Sequence, residues 1–253
     1  MRTRLALLAV LALLSACVPA EEDNDRVVRY QPDKTVMGAI QEAGVLRVGL
    51  PADFGPWAID DAAPEGFLVD LSELVADALG VRAEYEFLDS AELLDAVHVT
   101  RAELEDDDGV LELADAEIDL AFPMEPITEV LATTRTLSDP YWVGHTRTLE
   151  VDGGAVAHDR DVLLVNAAYV RGEGIVTGPQ DSTEGYGAAV RTGSTAFGSI
   201  VSQVFNEADS EGEWVRFYET WLASYFEESE PPIPTMSVED AAALHPAALD
   251  DTA

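Results

Sequence analysis

The chain predicts an α/β layer fold built on a mixed, largely parallel sheet with flanking helices. Three observations carry that reading. Segments with strand and helix patterns alternate from residue 35 onwards. Apolar residues fill 47% of the 253 positions, enough for a real core. Beyond the first sixteen residues, no run is apolar enough to cross a bilayer. In order, Val36 and Ile40 suggest a short helix stopped at Gly44. Val45–Leu50 reads as a strand, followed by a turn-rich stretch from Pro51 to Glu65. Phe67, Leu71, Leu74, Val75, Ala78 and Leu79 keep helical spacing and end at Gly80. Ala83, Tyr85 and Phe87 alternate as a strand, a helix starts over Glu92–Val97, and Ile118–Phe122 reads as a third strand.

The first residues tell where the protein works. Arg2 and Arg4 precede an apolar stretch from Leu5 to Leu14, which leads into Leu14-Ser15-Ala16-Cys17. This is a secretory signal, far shorter than the ~20 residues of a spanning helix. Its end resembles a bacterial lipobox, which implies that Cys17, the only cysteine, is acylated and becomes the first mature residue. Residues 1–16 are then the lipoprotein signal peptide and 17–34 an acylated tether. The expected location is extracytoplasmic, anchored to the membrane through lipidated Cys17, with no thiol left for a disulfide or for catalysis.

Charge excludes a class of partners. Cleavage before Cys17 removes Arg2 and Arg4 and takes the formal charge from −35 to −37. Such a surface repels phosphate backbones and anionic headgroups, so nucleic acid is not a partner. The acids are spread along the chain, a pattern that fits a salty medium better than one ligand. Asp106-Asp107-Asp108-Gly109 lacks the alternating ligands and terminal glutamate of a calcium loop, and reads as a solvated loop within Arg101–Glu117.

Several segments in order carry a family resemblance. They are Ala43–Leu50, Asp53-Phe54-Gly55-Pro56-Trp57, Glu65–Leu71, Glu117–Ala121 and Leu137–Trp142. Glu184–Arg191 and Glu213–Leu222 continue the series. Together they resemble the bacterial extracellular solute-binding proteins, family 3, the amino acid receptors of ABC importers. The resemblance implies two α/β lobes of the periplasmic-binding-protein type closing on a solute. It places the N-terminal part of the first lobe at 35–149, the return to that lobe at 184–226, and a Pro-containing acidic tail at 227–253. Residues 150–183 are too few for an ordinary domain. They are expected to be a vestigial second lobe or connecting loop, with Asp161–Asn166 resembling the family's final second-lobe strand.

Family members clasp an amino acid between an aromatic ring, an arginine for the α-carboxylate, supporting hydroxyls and an acid for the ammonium. Here Phe54 stands in the aromatic place with Trp57 and Asp53 beside it. Glu125, Thr128 and Glu129 lie in the stretch that normally carries hydroxyls and arginine, and Asn166 lies where the ammonium-binding acid belongs. Leu131, or Val130 on a one-residue shift, holds the arginine's position, and Arg135 is one turn further on. The resemblance thus implies a small polar or cationic solute, an amino acid or amine, and an ABC permease as partner. The missing arginine and short second lobe imply the alternative of a degenerate receptor that serves as a protein-interaction lipoprotein.

No catalytic motif is present. His98, His145, His158 and His245 have no zinc-ligand spacing, and neither a Gly-x-Ser-x-Gly elbow nor a phosphate-binding glycine loop occurs. The protein is not expected to be an enzyme, nor to hold a cofactor or metal. Gly193-Ser194-Thr195 falls after the return motif and so belongs to the first lobe. After the prolines at 231, 232 and 234, Ser237 and Asp240 form a capping-box-like start of a short helix.

Overall fold

Thr35 and Gly44 delimit the first helix as the sequence predicts. The structure, a computed structural model, describes residues 27–32, 34–97, 117–227 and 234–246. Cys17, His98, the acid-rich stretch 101–116 and the linker 228–233 lie outside the described residues, and so do the expectations attached to them. Helix α1 covers Val36–Ala43, where the Thr35 hydroxyl accepts the Gly38 N–H and Gly44 ends the helix at φ 69°. Strand β1 is Val45–Pro51 and α2 is Phe67–Leu79, closed by Gly80 at φ 67°. The first N–H groups of α2 are satisfied by the preceding loop. Phe67 N donates to the Pro56 carbonyl and Leu68 N to that of Trp57. Strand β2 (Arg82–Leu88), helix α3 (Ser90–Ala96) and the two-residue β3 (Leu120–Ala121) follow. Helix α4 (Glu129–Thr134) leads into β4 (Thr136–Gly144).

Residues 27–32, expected within the tether, are fastened to the body. The Gln41 amide accepts the Tyr30 N–H at 2.9 Å and donates to the carbonyls of Val28 and Leu79 at 2.8 and 2.9 Å.

The main sheet has the order β2-β1-β3-β8-β4, with β8 spanning Glu184–Val190. Its first three strands are parallel, and β8 runs antiparallel to both β3 and β4. Helices α6 (Thr195–Ser210) and α7 (Glu213–Trp221) complete this lobe, and Ser194 sits at the N-cap of α6. The last helix, α8 (Val238–Leu244), is N-capped by Ser237 and buries Ala241 and Ala242 beside Ile127. The tail therefore packs on the first lobe.

Between β4 and β8 lies a second, small sheet of order β6-β5-β7, fully antiparallel. Its strands are β5 (Thr146–Val151), β6 (Gly154–Arg160) and β7 (Ile175–Thr177). The second lobe is thus reduced to three strands and one helix. That helix, α5 (Asp161–Arg171), corrects the expectation of a strand over 161–166. Val162, Val165 and Ala168 recur every three residues on one buried face, and Gly172 closes the helix at φ 73°. A Val-Leu-Leu-Val run suits either a buried strand or a buried helix. The following Ala167 and Ala168 favour the helix.

Candidate functional site

Four segments meet where the two sheets face each other. They are the 52–58 loop after β1, the 122–128 loop after β3, the crossover at Gly144–Thr146, and helix α5. In a clam-like receptor this face would be an open cleft. Here it is packed.

Trp57 is fully buried, edge-on to Phe67 at 5.5 Å and to Trp142 at 4.9 Å between ring centroids. Trp142 stacks in turn on Trp214 at 5.8 Å and Tyr218 at 6.2 Å, and lies 5.9 Å from Phe226. The Arg147 guanidinium of the small sheet covers the other end, 5.7 Å from the Phe226 centroid. Val162, Leu164, Val165 and Ala168 of α5 belong to the same buried cluster as Leu50, Trp57 and Trp142. The Tyr169 ring lies so close to Gly55 that a Cβ there would collide with it. Both sheets therefore share one core.

A third chain connection adds to the two crossovers. Beyond α7, Phe226 forms a parallel bridge with Val176, and Glu227 N donates to the Val176 carbonyl at 3.1 Å. Glu227 also accepts from the Thr177 hydroxyl.

The sequence-predicted residues fall in three places. Trp57 and Phe54 lie at the inter-sheet face. Phe54 is half-buried against the shared core, and Asn166 sits on α5. Trp57 Nε1 and Asn166 Oδ1 are buried with no hydrogen-bond partner among the described residues. Asp53 and Glu125 lie exposed at its rim. Asp53 adopts φ 56°, and the Glu125 carboxylate pairs with Arg160 of β6 at 3.9 Å, linking the lobes. Thr128 and Glu129 serve α4. The Thr128 hydroxyl caps it by accepting the Leu131 N–H at 3.1 Å, while Glu129 N donates to the His245 carbonyl beyond α8. Arg135 turns to α3, where its Nε donates to the Leu94 carbonyl at 3.3 Å and Nη2 lies 3.5 Å from Asp95.

One residue of the face was missed. Asp161 is buried at the start of α5, where it clamps the crossover. Its Oδ2 accepts the His145 N–H at 3.0 Å, Oδ1 accepts the Trp142 indole N–H at 3.4 Å, and its own N–H donates to the His145 carbonyl at 2.8 Å. Burial pushes its carboxyl up to about 7, against the opposing pull of the His145 N–H, the Trp142 indole, Arg147 and the Val162 N–H. An acid opening an apolar helical run was the available signal. A raised folded pKa means the native state holds its proton longer than the unfolded chain. This contribution to stability is present below the unfolded value and falls as pH rises towards 7. Asp161→Asn, which cannot ionise, is expected to gain in melting midpoint relative to the parent between pH 4 and 7, with the gap level above pH 8. Thermal unfolding of both proteins across that range measures it.

With this geometry in hand, comparison with known proteins is direct. Residues 46–224 match the bacterial extracellular solute-binding proteins, family 3. The chain belongs to that family. No curated protein matches it. Among solved structures, a mutant of ArgBP from T. maritima aligns with TM-score 0.54 and 19% identity, over 74% of this chain and 99% of that one. An ancestral cationic amino acid solute-binding protein aligns with TM-score 0.58 and 18% identity, over the same shares of 74% and 99%. A substrate-binding protein of an ABC uptake transporter from Streptococcus pneumoniae, with bound histidine, aligns with TM-score 0.54 and 13% identity, over 78% and 97%. At these identities the likeness concerns the fold. The family 3 match ends at residue 224, so α8 lies beyond it.

Proposed function

We propose that this family 3 protein is an extracytoplasmic lipoprotein, anchored through Cys17, that docks proteins and no longer closes on an amino acid. The observation that carries the reading is the shared core. Helix α5, Tyr169 and the aromatic cluster fill the face where a solute would be held, and three chain connections tie the sheets together. The carboxylate clasp is missing as well, because Arg135 is engaged at α3 and Thr128 caps its own helix.

One observation supports a second reading, a residual receptor for a small polar or cationic solute working with an ABC permease. Trp57 Nε1 at the inter-sheet core and Asn166 Oδ1 on α5, a buried donor and a buried acceptor, have no partner among the described residues. Asp53 and Glu125 would then favour a cation.

Thermal unfolding of residues 18–253 with a panel of amino acids and polyamines separates the two. A ligand at 100 times its Kd stabilises by ~2.7 kcal/mol, a shift of several degrees. The docking reading predicts no shift with any member of the panel. A specific shift that Phe54→Ala removes would establish the receptor reading.

A further inference from the structure

Two of the chain connections between the sheets are bonded to each other and to the start of α5. His145 Nδ1 lies 2.6 Å from the Ser182 carbonyl, and because a carbonyl only accepts, that nitrogen carries the hydrogen. Thr146 N donates to the Ser182 hydroxyl at 3.2 Å, and the Thr146 and Ser182 hydroxyls lie 2.8 Å apart. Asp161 holds the first connection from the side of α5, through both the N–H and the carbonyl of His145. The junction is tight. A Cβ on Gly144 would come within 2.6 Å of Asp161 Oδ1, 3.0 Å of the Tyr186 ring and 3.1 Å of Trp142 Nε1.

Asp161 is 1% exposed, and its two hydrogen-bond donors, a backbone amide and an indole, are both neutral. No basic side chain lies within 4 Å of its carboxyl among the described residues. Neutral donors alone do not offset the cost of taking a carboxylate out of water, so burial favours the protonated form. Around it stand Arg147 on β5, His145 on the connection, and Arg160 at the helix cap with Glu125 paired to it. Tyr186 and Glu184 face it from β8, and Asp181 on the second connection is exposed. Tyr186 stays neutral, because burial and its hydrogen bond to Glu184 push the phenol up.

We propose that Asp161 is a one-proton latch, whose protonated form fastens the Gly144–Thr146 connection to α5 and whose ionisation loosens that junction and the seating of the small sheet. The ionised carboxylate regains water only when the junction opens, with its proton passing to solvent. A carboxyl at about 7 in the closed junction, against 3.8 when solvated, makes proton uptake favour closure. The latch is therefore complete below pH 4, weakens above it, and is lost as pH passes 7. The shared aromatic core keeps the sheets together, so the loosening is confined to the junction. The latch responds to the pH of the medium under either reading of the function.

Amide exchange of residues 18–253, read by NMR at the His145 N–H and corrected for the intrinsic pH dependence of exchange, tests the latch. Protection there is expected to fall about tenfold from pH 6 to pH 8, while the amides of β1 keep theirs. Asp161→Asn, which cannot ionise, should hold its protection level across that range. His145→Gln removes the imidazole but keeps the backbone N–H, and should respond as the parent does. A carbon-13 titration of the Asp161 carboxyl in the parent needs no variant, and should have its midpoint at about 7. Protection unchanged between pH 6 and 8, a fall that persists in Asp161→Asn or vanishes in His145→Gln, or a carboxyl midpoint in the ordinary carboxylate range would each overturn the proposal.

Discussion

Replacing Trp142 by alanine is expected to lower the unfolding free energy by about 4 kcal/mol, near the upper end for loss of a buried aromatic, while keeping one transition. Trp142 touches Trp57, Trp214, Tyr218 and Phe226, so it joins the loop after β1 to α7 and to the strap that reaches β7. Its indole N–H also reaches Asp161 at the start of α5. Neighbouring rings cannot all close on the cavity without moving both sheets. Urea unfolding followed by tryptophan fluorescence and by far-ultraviolet circular dichroism measures the effect. Coincident curves are expected for parent and variant, because the small sheet has no core of its own. Separate transitions in the parent would show that the lobes fold independently.

The second large effect lies at the opposite end of the main sheet. Asp119 is 2% exposed and holds three strands together. Its carboxylate accepts the backbone N–H and the Nε of Arg47, each at 3.0 Å, and the Arg47 Nη2 at 3.1 Å. Arg191, 4% exposed at the end of β8, lies 3.7 Å away. Asp119→Ala removes the shared acceptor and leaves two guanidinium groups together, one of them buried. The expected loss is about 3 kcal/mol, of which the Arg47 share is reduced by its 39% exposure to solvent. Because the Arg191 pair is buried, high salt should recover little of the loss, which denaturant unfolding at two ionic strengths would show.

Much of the main lobe was legible because its punctuation is local. Gly44 and Gly80 end their helices in the left-handed region, Thr35 and Ser237 cap theirs, and the Phe67–Leu79 pattern has a single helical face. The reduced lobe was harder. Asp152 and Gly153, at φ 51° and 75°, make the tight turn joining β5 to β6, and Asp-Gly is among the strongest hairpin signals. It went unread because β6, the strand that follows it, is exposed throughout and shows no alternation. The 161–166 run misled for the opposite reason, since an apolar stretch buried as a whole hides its period. At the former cleft, the sequence indicated which residues approach the inter-sheet face but not whether that face is open. Trp57 in a core and Trp57 over a ligand look alike in sequence. What decides is Tyr169 against Gly55, a contact 114 positions apart in the chain.

The central claim is that the two sheets form one closed body. Its most direct test is a distance across them. Residues 18–253 contain no cysteine, so Asp77→Cys on α2 and Val170→Cys on α5, both exposed, give two unique spin-label sites. Double electron–electron resonance should find one narrow distance distribution, unchanged by any amino acid or polyamine. Two populations, or a distance that shortens on adding a solute, would show that the clam still opens and closes and would contradict the account.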